Sequence, residues 1–439
     1  MSGSPEPEAL APGRRWEAQI PADRRKRLGQ WLTPWWAVEA VTAEALRGLG
    51  PNPVILDPAC GDGRWLLAAG RLRPDATLVG WDIDDDALTA AAEVAKRAGL
   101  TAQLCRRDAL VGDEQGVADV VLGNPPYVRP QNLPGADRAR IWARYKSATD
   151  KADLYAPFME RMIQLSRGRV GLVVADTWLS MVSFAALRDI VFAEPVDLLA
   201  RLPAGSFGAR VGTVVLVIHP DGQARRGQLS PEGLVVFGPL IRSEGVVTLG
   251  EAPAIELPGD GVLGDRWRLR MGVVCGDYAH WVHPGPPEPG DQPTIRGKDV
   301  ARFVIHDQGE RIRYDAAAIL KRTPYAAPKH AGLFDVPEKV VLSGASGVLL
   351  RAAVDTARRF PLDSCYVSEG PGDPWALCGL LNSAPVNVWY GARFTGARVK
   401  AVELHGLPWP AGDLRALAEA ARAGDQAGVD AEAARAYGL

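Results

Sequence analysis

Short apolar runs, rich in β-branched residues, recur through the first half of the chain and alternate with stretches of helical period. The runs at 54–56, 77–81, 102–105, 118–123, 169–174, 196–202 and 212–219 read as strands. Between them, 35–49 is amphipathic, 65–72 follows a two-glycine turn, and a helix opening at Asp153 carries Leu154, Phe158, Met162 and Leu165 on one face. Thr33 as N-cap, with Pro34 at the first helical position, gives 35–49 its start signal. The alternation predicts an α/β domain on a seven-stranded sheet. After about residue 222 glycine and proline become frequent, as in 284–290, and the alternation stops. The expected organisation is an N-terminal arm at 1–28, an α/β domain at 29–222, an α+β domain at 223–410 and an Ala-rich helical tail at 411–439, broken at Gly424.

Four strand ends carry candidate chemistry. The run 118–123 stops at Asn124-Pro125-Pro126-Tyr127, whose prolines cannot continue a ladder. Such a turn sets an amide, a fixed carbonyl and a ring at the carboxyl edge of the sheet, where ligands bind in open α/β folds. The Asn124 oxygen and Pro125 carbonyl could accept both N–H bonds of an exocyclic amine, with Tyr127 on the face of the ring that bears it. The first strand runs into Asp57-Pro58-Ala59-Cys60-Gly61-Asp62-Gly63, a turn that lets a ligand approach the backbone. It lacks the Gly-x-Gly-x-x-Gly spacing and the P-loop Lys, and its acids disfavour a phosphate. The second strand ends in Asp82-Ile83-Asp84, a carboxylate about 20 residues on, placed for ribose hydroxyls. The third ends near Asp108. Singly, each acid reads as a cap or loop charge.

Composition narrows the field. The chain has 439 residues, with 50 Lys+Arg against 52 Asp+Glu, so any nucleic-acid site must be a local patch. Five cysteines without a Cys-x-x-Cys pair and six scattered histidines indicate neither zinc nor a disulfide framework. No run reaches a membrane span and the first twelve residues are not a signal peptide, so a soluble, cytoplasmic protein is expected. Two stretches are basic. Arg24-Arg25-Lys26-Arg27 reads either as a solvated or disordered arm or as a phosphate contact. From 296 to 339, nine basic residues face six acidic ones, among Trp281, Phe303, Tyr314 and Tyr325. That mixture suits phosphate contact and groove reading, and an ordinary mixed surface explains it nearly as well. Phe207, in the glycine-flanked loop 205–211, is either a core residue or an exposed aromatic.

Residues 29–219 resemble the adenine-N6 DNA methyltransferases of the gamma class. The resemblance is carried by the order of an upstream Thr-Pro segment, Asp-Pro-Ala-Cys-Gly-x-Gly, the acidic strand end, Asp108, Asn-Pro-Pro-Tyr, Asp153-Leu154-Tyr155, Asp176-Thr177-Trp178-Leu179 and the Phe207 loop. Met271 to Gly276, Ile295 to Val300, and 375–383 with 404–410 look like the start and end of that family's target-recognition domain. The resemblance implies a Rossmann-like seven-stranded methyltransferase domain with a separate α+β recognition domain. It implies S-adenosyl-L-methionine as cofactor, S-adenosyl-L-homocysteine as product and no metal. The substrate implied is double-stranded DNA with its adenine extruded, in a restriction-modification or related host-defence setting. A monomer beside a separate cognate endonuclease fits it; a fused nuclease does not, with only 1–28 upstream. By the same resemblance, Asn124, Pro125, Pro126 and Tyr127 form the catalytic turn. Thr33, Asp57, Ala59, Cys60, Gly61, Gly63, Asp82, Ile83, Asp108 and Asn124 hold the cofactor, with Asp82 preferred to Asp84 because it directly follows the strand. Tyr127, Phe207, Arg296 and Lys298 contact the substrate. Two rivals share part of the pattern: an RNA or protein-glutamine methyltransferase with the same turn, and a non-enzymatic binder with a decayed site. The long C-terminal region argues against the first, and the intact Asn124 against the second.

Overall fold

The computed structural model of the protein describes residues 5–149, 152–203, 205–206, 212–243, 246–249, 256–345, 349–394 and 398–439. It divides into two compact units, Met1–Leu249 and Gly250–Leu439.

The first unit is a mixed α/β domain. Its strands are β1 (Val54–Asp57), β2 (Thr77–Asp82), β3 (Ala102–Arg106), β4 (Val120–Gly123), β5 (Val170–Ala175), β6 (Val196–Arg201), β7 (Thr213–Ile218), β8 (Arg225–Ser230) and β9 (Gly233–Pro239). They form one sheet in the order β3-β2-β1-β4-β5-β7-β6-β8-β9. β1 to β5 run parallel, β7 lies antiparallel between β5 and β6, and β8 pairs parallel with β6. The fold class is therefore the Rossmann-like one expected, with all seven strands in place and two more beyond them. The strand order reverses between β1 and β4, and at such a switch point the diverging connections leave a crevice.

Period-2 alternation builds two cores. Leu56, Val121, Leu172 and Val174 face one layer with Phe158 and Met162, while Ile55, Val120, Leu122 and Val173 face the other with Val38, Val41 and Leu66. The first layer comes from α7 (Tyr155–Leu165) with α8 (Ala185–Ala193), and the second from α3 (Trp35–Leu46) with α4 (Arg64–Leu72); α5 (Asp85–Ala98) and α6 (Gly135–Arg144) complete the set.

Three expectations need correction. The boundary at 222 is too early, because β8 and β9 form an antiparallel hairpin that extends the sheet, and the unit closes at Leu249. The turn at Gly222, packed against the Pro195 carbonyl, marks a tight connection rather than the end of a domain. Residues 5–28 are not a loose arm: α1 (Ala11–Gln19) and α2 (Ala22–Leu28) fold onto the sheet domain, and Leu10 is wholly buried in its core. Thr33 does not cap α3, whose N-cap is Pro34. The Arg24 guanidinium pairs with Asp84 at 2.7 Å and Asp86 at 2.8 Å, which fastens α2 to the start of α5. Arg24→Ala is expected to cost about 1 kcal/mol of stability, the upper range for a partly exposed pair, read from urea melts.

The second unit has a four-stranded antiparallel sheet, Arg268–Met271, Cys365–Glu369, Lys339–Ser343 and Ala352–Asp355 in spatial order, and a three-stranded one built on Glu310–Arg313. Lys339 and Asp355, both buried, pair at 2.5 Å inside it. The helices Arg415–Ala423 and Gln426–Ala436 are part of this unit rather than a separate tail. They bury Leu417, Ala421, Val429 and Ala433, and Leu417 packs on Gly379. Among the described residues no helix is long and apolar enough to cross a membrane.

Candidate active site

At the carboxyl edge of β1, β2 and β4, where the strand order reverses, the first unit has a cleft of about 390 Å3. Three of its walls come from strands that end in turns. After β1, Cys60 and Gly61 turn the chain, and Gly63 at φ +79°, a conformation costly for any residue with a Cβ, opens α4. Asp57 supports this turn from below. Its carboxylate is wholly buried, accepts the Ala59 N–H at 3.1 Å, and is pushed up in pKa by burial. After β2, Asp82 is nine-tenths buried and accepts from the Gly61 and Asp84 N–H groups, both at 2.9 Å, so it ties the two turns together. Burial raises the Asp82 carboxyl above the usual range. Asp84, the other candidate, is committed elsewhere. It caps α5 through Asp86 N–H, pairs with Arg24 and accepts from Gln30 at 2.8 Å. The structure thus leaves Asp82 at the cleft and takes Asp84 out of it. Asp108, after β3, receives the Leu110 N–H at 3.0 Å and also lines the cleft.

Asn124 ends the wall made by β4. Its Nδ2 donates to the Trp31 carbonyl at 2.7 Å, and only the amide nitrogen can face that oxygen. Oδ1 is thereby turned the other way. It is buried and makes no hydrogen bond among the described residues. The Thr33 hydroxyl, also on the cleft, is in the same condition. Buried polar atoms without partners are uncommon in folded proteins, and at a cleft wall the missing bond falls to a water or a ligand.

The strand ends thus bring together Thr33, Ala59, Cys60, Gly61, Asp82, Ile83, Asp108, Asn124 and Pro126 around one cleft. Asp57 and Gly63 hold its turn instead of lining it. Pro125 is buried, and Tyr127 lies half-buried behind the wall. The Tyr127 ring centre is 5.9 Å from that of Tyr155, which stacks at 5.2 Å on Phe184, and burial raises the Tyr127 hydroxyl pKa strongly. Phe207 falls outside the described residues. Arg296 and Lys298 belong to the second unit: Arg296 pairs with Glu310 at 2.8 Å, and Lys298 is exposed.

Sequence reasoning placed only Thr33 of the strap Arg27–Thr33 at the site, whereas the whole strap forms a wall of the cleft. Gly29 sits at φ +67°, and a Cβ there would lie 2.4 Å from the Tyr127 nitrogen. The Tyr127 N–H donates to the Gly29 carbonyl at 3.3 Å. Glycine followed by Gln-Trp-Leu was the available signal. Leu110, Leu133, Leu154 and Phe158 give the cleft an apolar side.

Comparison with known proteins fits this geometry. Residues 81–195 match the sequence profile of the family described as Eco57I restriction-modification methylase. The type II methyltransferase M.PaeR7I of Pseudomonas aeruginosa is 34% identical over 172 residues, 31% of this chain and 29% of its own length. Against it and comparable type II methyltransferases the chain spans about a third of the relative's length. M.XamI of Xanthomonas campestris pv. amaranthicola is 24% identical over 408 residues, covering 84% of this chain and 73% of its own. Among solved structures, the ATP-dependent type ISP restriction-modification enzyme LlaBIII bound to DNA superposes on 89% of this chain and 38% of its own, with TM-score 0.52 at 10% identity, a likeness of fold. The sheet with its reversal at β1 and β4 and the Asn-Pro-Pro-Tyr cleft thus lie in a chain that, over residues 81–195, is similar to the Eco57I restriction-modification methylase family.

Proposed function

We propose that the protein is a site-specific DNA methyltransferase that moves a methyl group from S-adenosyl-L-methionine to the N6 amine of an adenine taken out of the duplex. The observation that carries this is the Asn124 amide: its nitrogen is anchored on Trp31, and its oxygen is buried and unpartnered in a cleft shared with Asp82 and Asp108. The cofactor fits that donor set. Asp82 would take ribose hydroxyls, the turn Ala59–Gly61 and Thr33 would line its methionine side, and Asp108 with Leu110 would border its adenine. When bound, it supplies an activated methyl group, so transfer requires alignment more than acid or base.

The chain's own part is to prepare the amine. Adenine N6 is a weak nucleophile because its lone pair is delocalised into the ring. Accepting its two N–H bonds at Asn124 Oδ1 and the Pro125 carbonyl draws the nitrogen toward tetrahedral geometry and frees that pair. The acceptors are fixed before substrate arrives, so little reorganisation is needed as charge develops. A base in a duplex cannot reach such a site, so it must be extruded. The accompanying setting is restriction-modification, with a monomeric modification enzyme beside a separate cognate endonuclease.

The test is transfer from labelled S-adenosyl-L-methionine to duplex DNA, RNA and protein in parallel, with modified adenines mapped by sequencing DNA from cells that express the chain. Label only in RNA or protein glutamine would move the activity to another substrate of the same turn. Asp82→Ala is expected to weaken cofactor binding by about 1.5–3 kcal/mol, the range for hydrogen bonds to a charged group, measured by titration calorimetry. An unchanged dissociation constant would remove Asp82 from the cofactor site.

A further inference from the structure

The basic excess between 296 and 339 is mostly consumed within the unit. Arg296 pairs with Glu310, Arg313 with Glu288, Arg322 with Asp277 and Lys339 with Asp355, while Arg302 bonds Gln426. Of the rest, Lys298 and Arg311 stand elsewhere, and Lys321 and Lys329 share one loop, Lys321-Arg322-Thr323-Pro324-Tyr325-Ala326-Ala327-Pro328-Lys329-His330. No acidic residue lies between Asp315 and Asp335. Lys321 and Lys329 are exposed and make no ion pair among the described residues, and the Tyr325 side chain is 81% exposed.

The loop is nonetheless held firmly. Thr323, Ala326 and Pro328 are buried, so Arg322, Pro324, Tyr325 and Lys329 each adjoin an anchor. Ala327 and Val274 exchange two backbone hydrogen bonds, at 2.8 and 3.2 Å. The Tyr314 hydroxyl donates to the Pro328 carbonyl at 2.9 Å, and Lys329 is kept at φ +69°, an unfavourable conformation for a residue with a side chain. A pinned backbone that displays a large bare ring between two unpaired cations loses little entropy on binding.

We propose that loop 321–330 is the DNA-contacting element of the second unit, with Lys321 and Lys329 on duplex phosphates and Tyr325 against base edges in a groove. The inference rests on the reading that the substrate is duplex DNA. Unpaired lysines on both sides, in a loop with no acidic residue of its own and with Asp277 held by Arg322, match a phosphate backbone, and an amphipathic ring suits the partly apolar floor of a groove. The division of labour follows: the lysines add affinity irrespective of sequence, and Tyr325 adds preference.

The experiment uses the full chain, a duplex oligonucleotide carrying the methylated sequence, and a scrambled duplex, with binding measured by fluorescence anisotropy across salt concentrations. Lys321→Gln combined with Lys329→Gln is expected to lower the slope of log K against log salt by about 1.8 on both duplexes, at about 0.9 per phosphate. It should raise KM for DNA with kcat little changed, and the charge-retaining arginine pair should restore the slope. Tyr325→Ala is expected to weaken the methylatable duplex about tenfold and the scrambled one less. Unchanged slope and affinity in these variants, with wild-type methylation intact, would overturn this inference alone. A wild-type chain that neither methylates nor binds DNA would overturn the enzymatic reading and this one together.

Discussion

Asn124→Ala is expected to lower methyl transfer by at least about 10²–10³-fold, the loss seen when one preorganised group is removed from a transition-state site, while cofactor binding stays nearly unchanged. The separation follows from the geometry. Asn124 Nδ2 binds the Trp31 carbonyl and Oδ1 has no partner among the described residues, so truncation removes the proposed acceptor for the amine. The proposed cofactor side rests on Asp82, the turn at Gly61 and Asp108, whose bonds run to Gly61 and Leu110 rather than to Asn124. Single-turnover transfer and equilibrium titration of the cofactor read the two quantities independently. Activity near wild type would mean that the turn does not act on the amine. Asn124→Asp gives a finer check, because a carboxylate has no N–H for the Trp31 carbonyl and would repel it, loosening the strap while keeping an acceptor.

Gly29→Ala is expected to damage both fold and activity. An added Cβ would lie 2.4 Å from the Tyr127 nitrogen, 2.8 Å from its carbonyl carbon and 3.0 Å from the Pro126 carbonyl carbon, all backbone atoms that cannot rotate away. The residue also sits at φ +67°, which costs an L-residue about 1–2 kcal/mol. With overpacking of about 1–3 kcal/mol, a total loss of about 2–5 kcal/mol is expected in urea unfolding. Strain is relieved most readily by lifting the strap off the Asn-Pro-Pro-Tyr turn, which would withdraw the Trp31 carbonyl from Asn124. Transfer should therefore fall further than the folded fraction accounts for. A variant with wild-type stability and activity would show that the strap does not rest on the turn.

The sequence by itself determined the sheet and the order of its tips. A strand needs only a few β-branched residues and a stop, so Val120 to Gly123 followed by two prolines could be read locally, as could Asp82 at the end of its strand. The acidic and glycine turns then fell at one edge because parallel strands joined by helices place all their carboxyl ends together. Tertiary structure decided what depends on partners far along the chain. Asp82 and Asp84 are two residues apart and chemically alike. Only contacts from Arg24 and Gln30, more than fifty residues upstream, commit Asp84 to packing and leave Asp82 at the cleft. The Arg24–Arg27 run reads as a free arm because charge patterning carries no record of the carboxylates it will meet. The strands after 222 escaped because β9 is the edge strand and β8 lies next to it, both with mixed polar and half-exposed positions that leave a weak alternation. The orientation of the Asn124 amide was likewise outside the reach of any local pattern. It is fixed by a carbonyl ninety-three positions away, and hydrogen-bond direction is a property of where two segments meet rather than of either one.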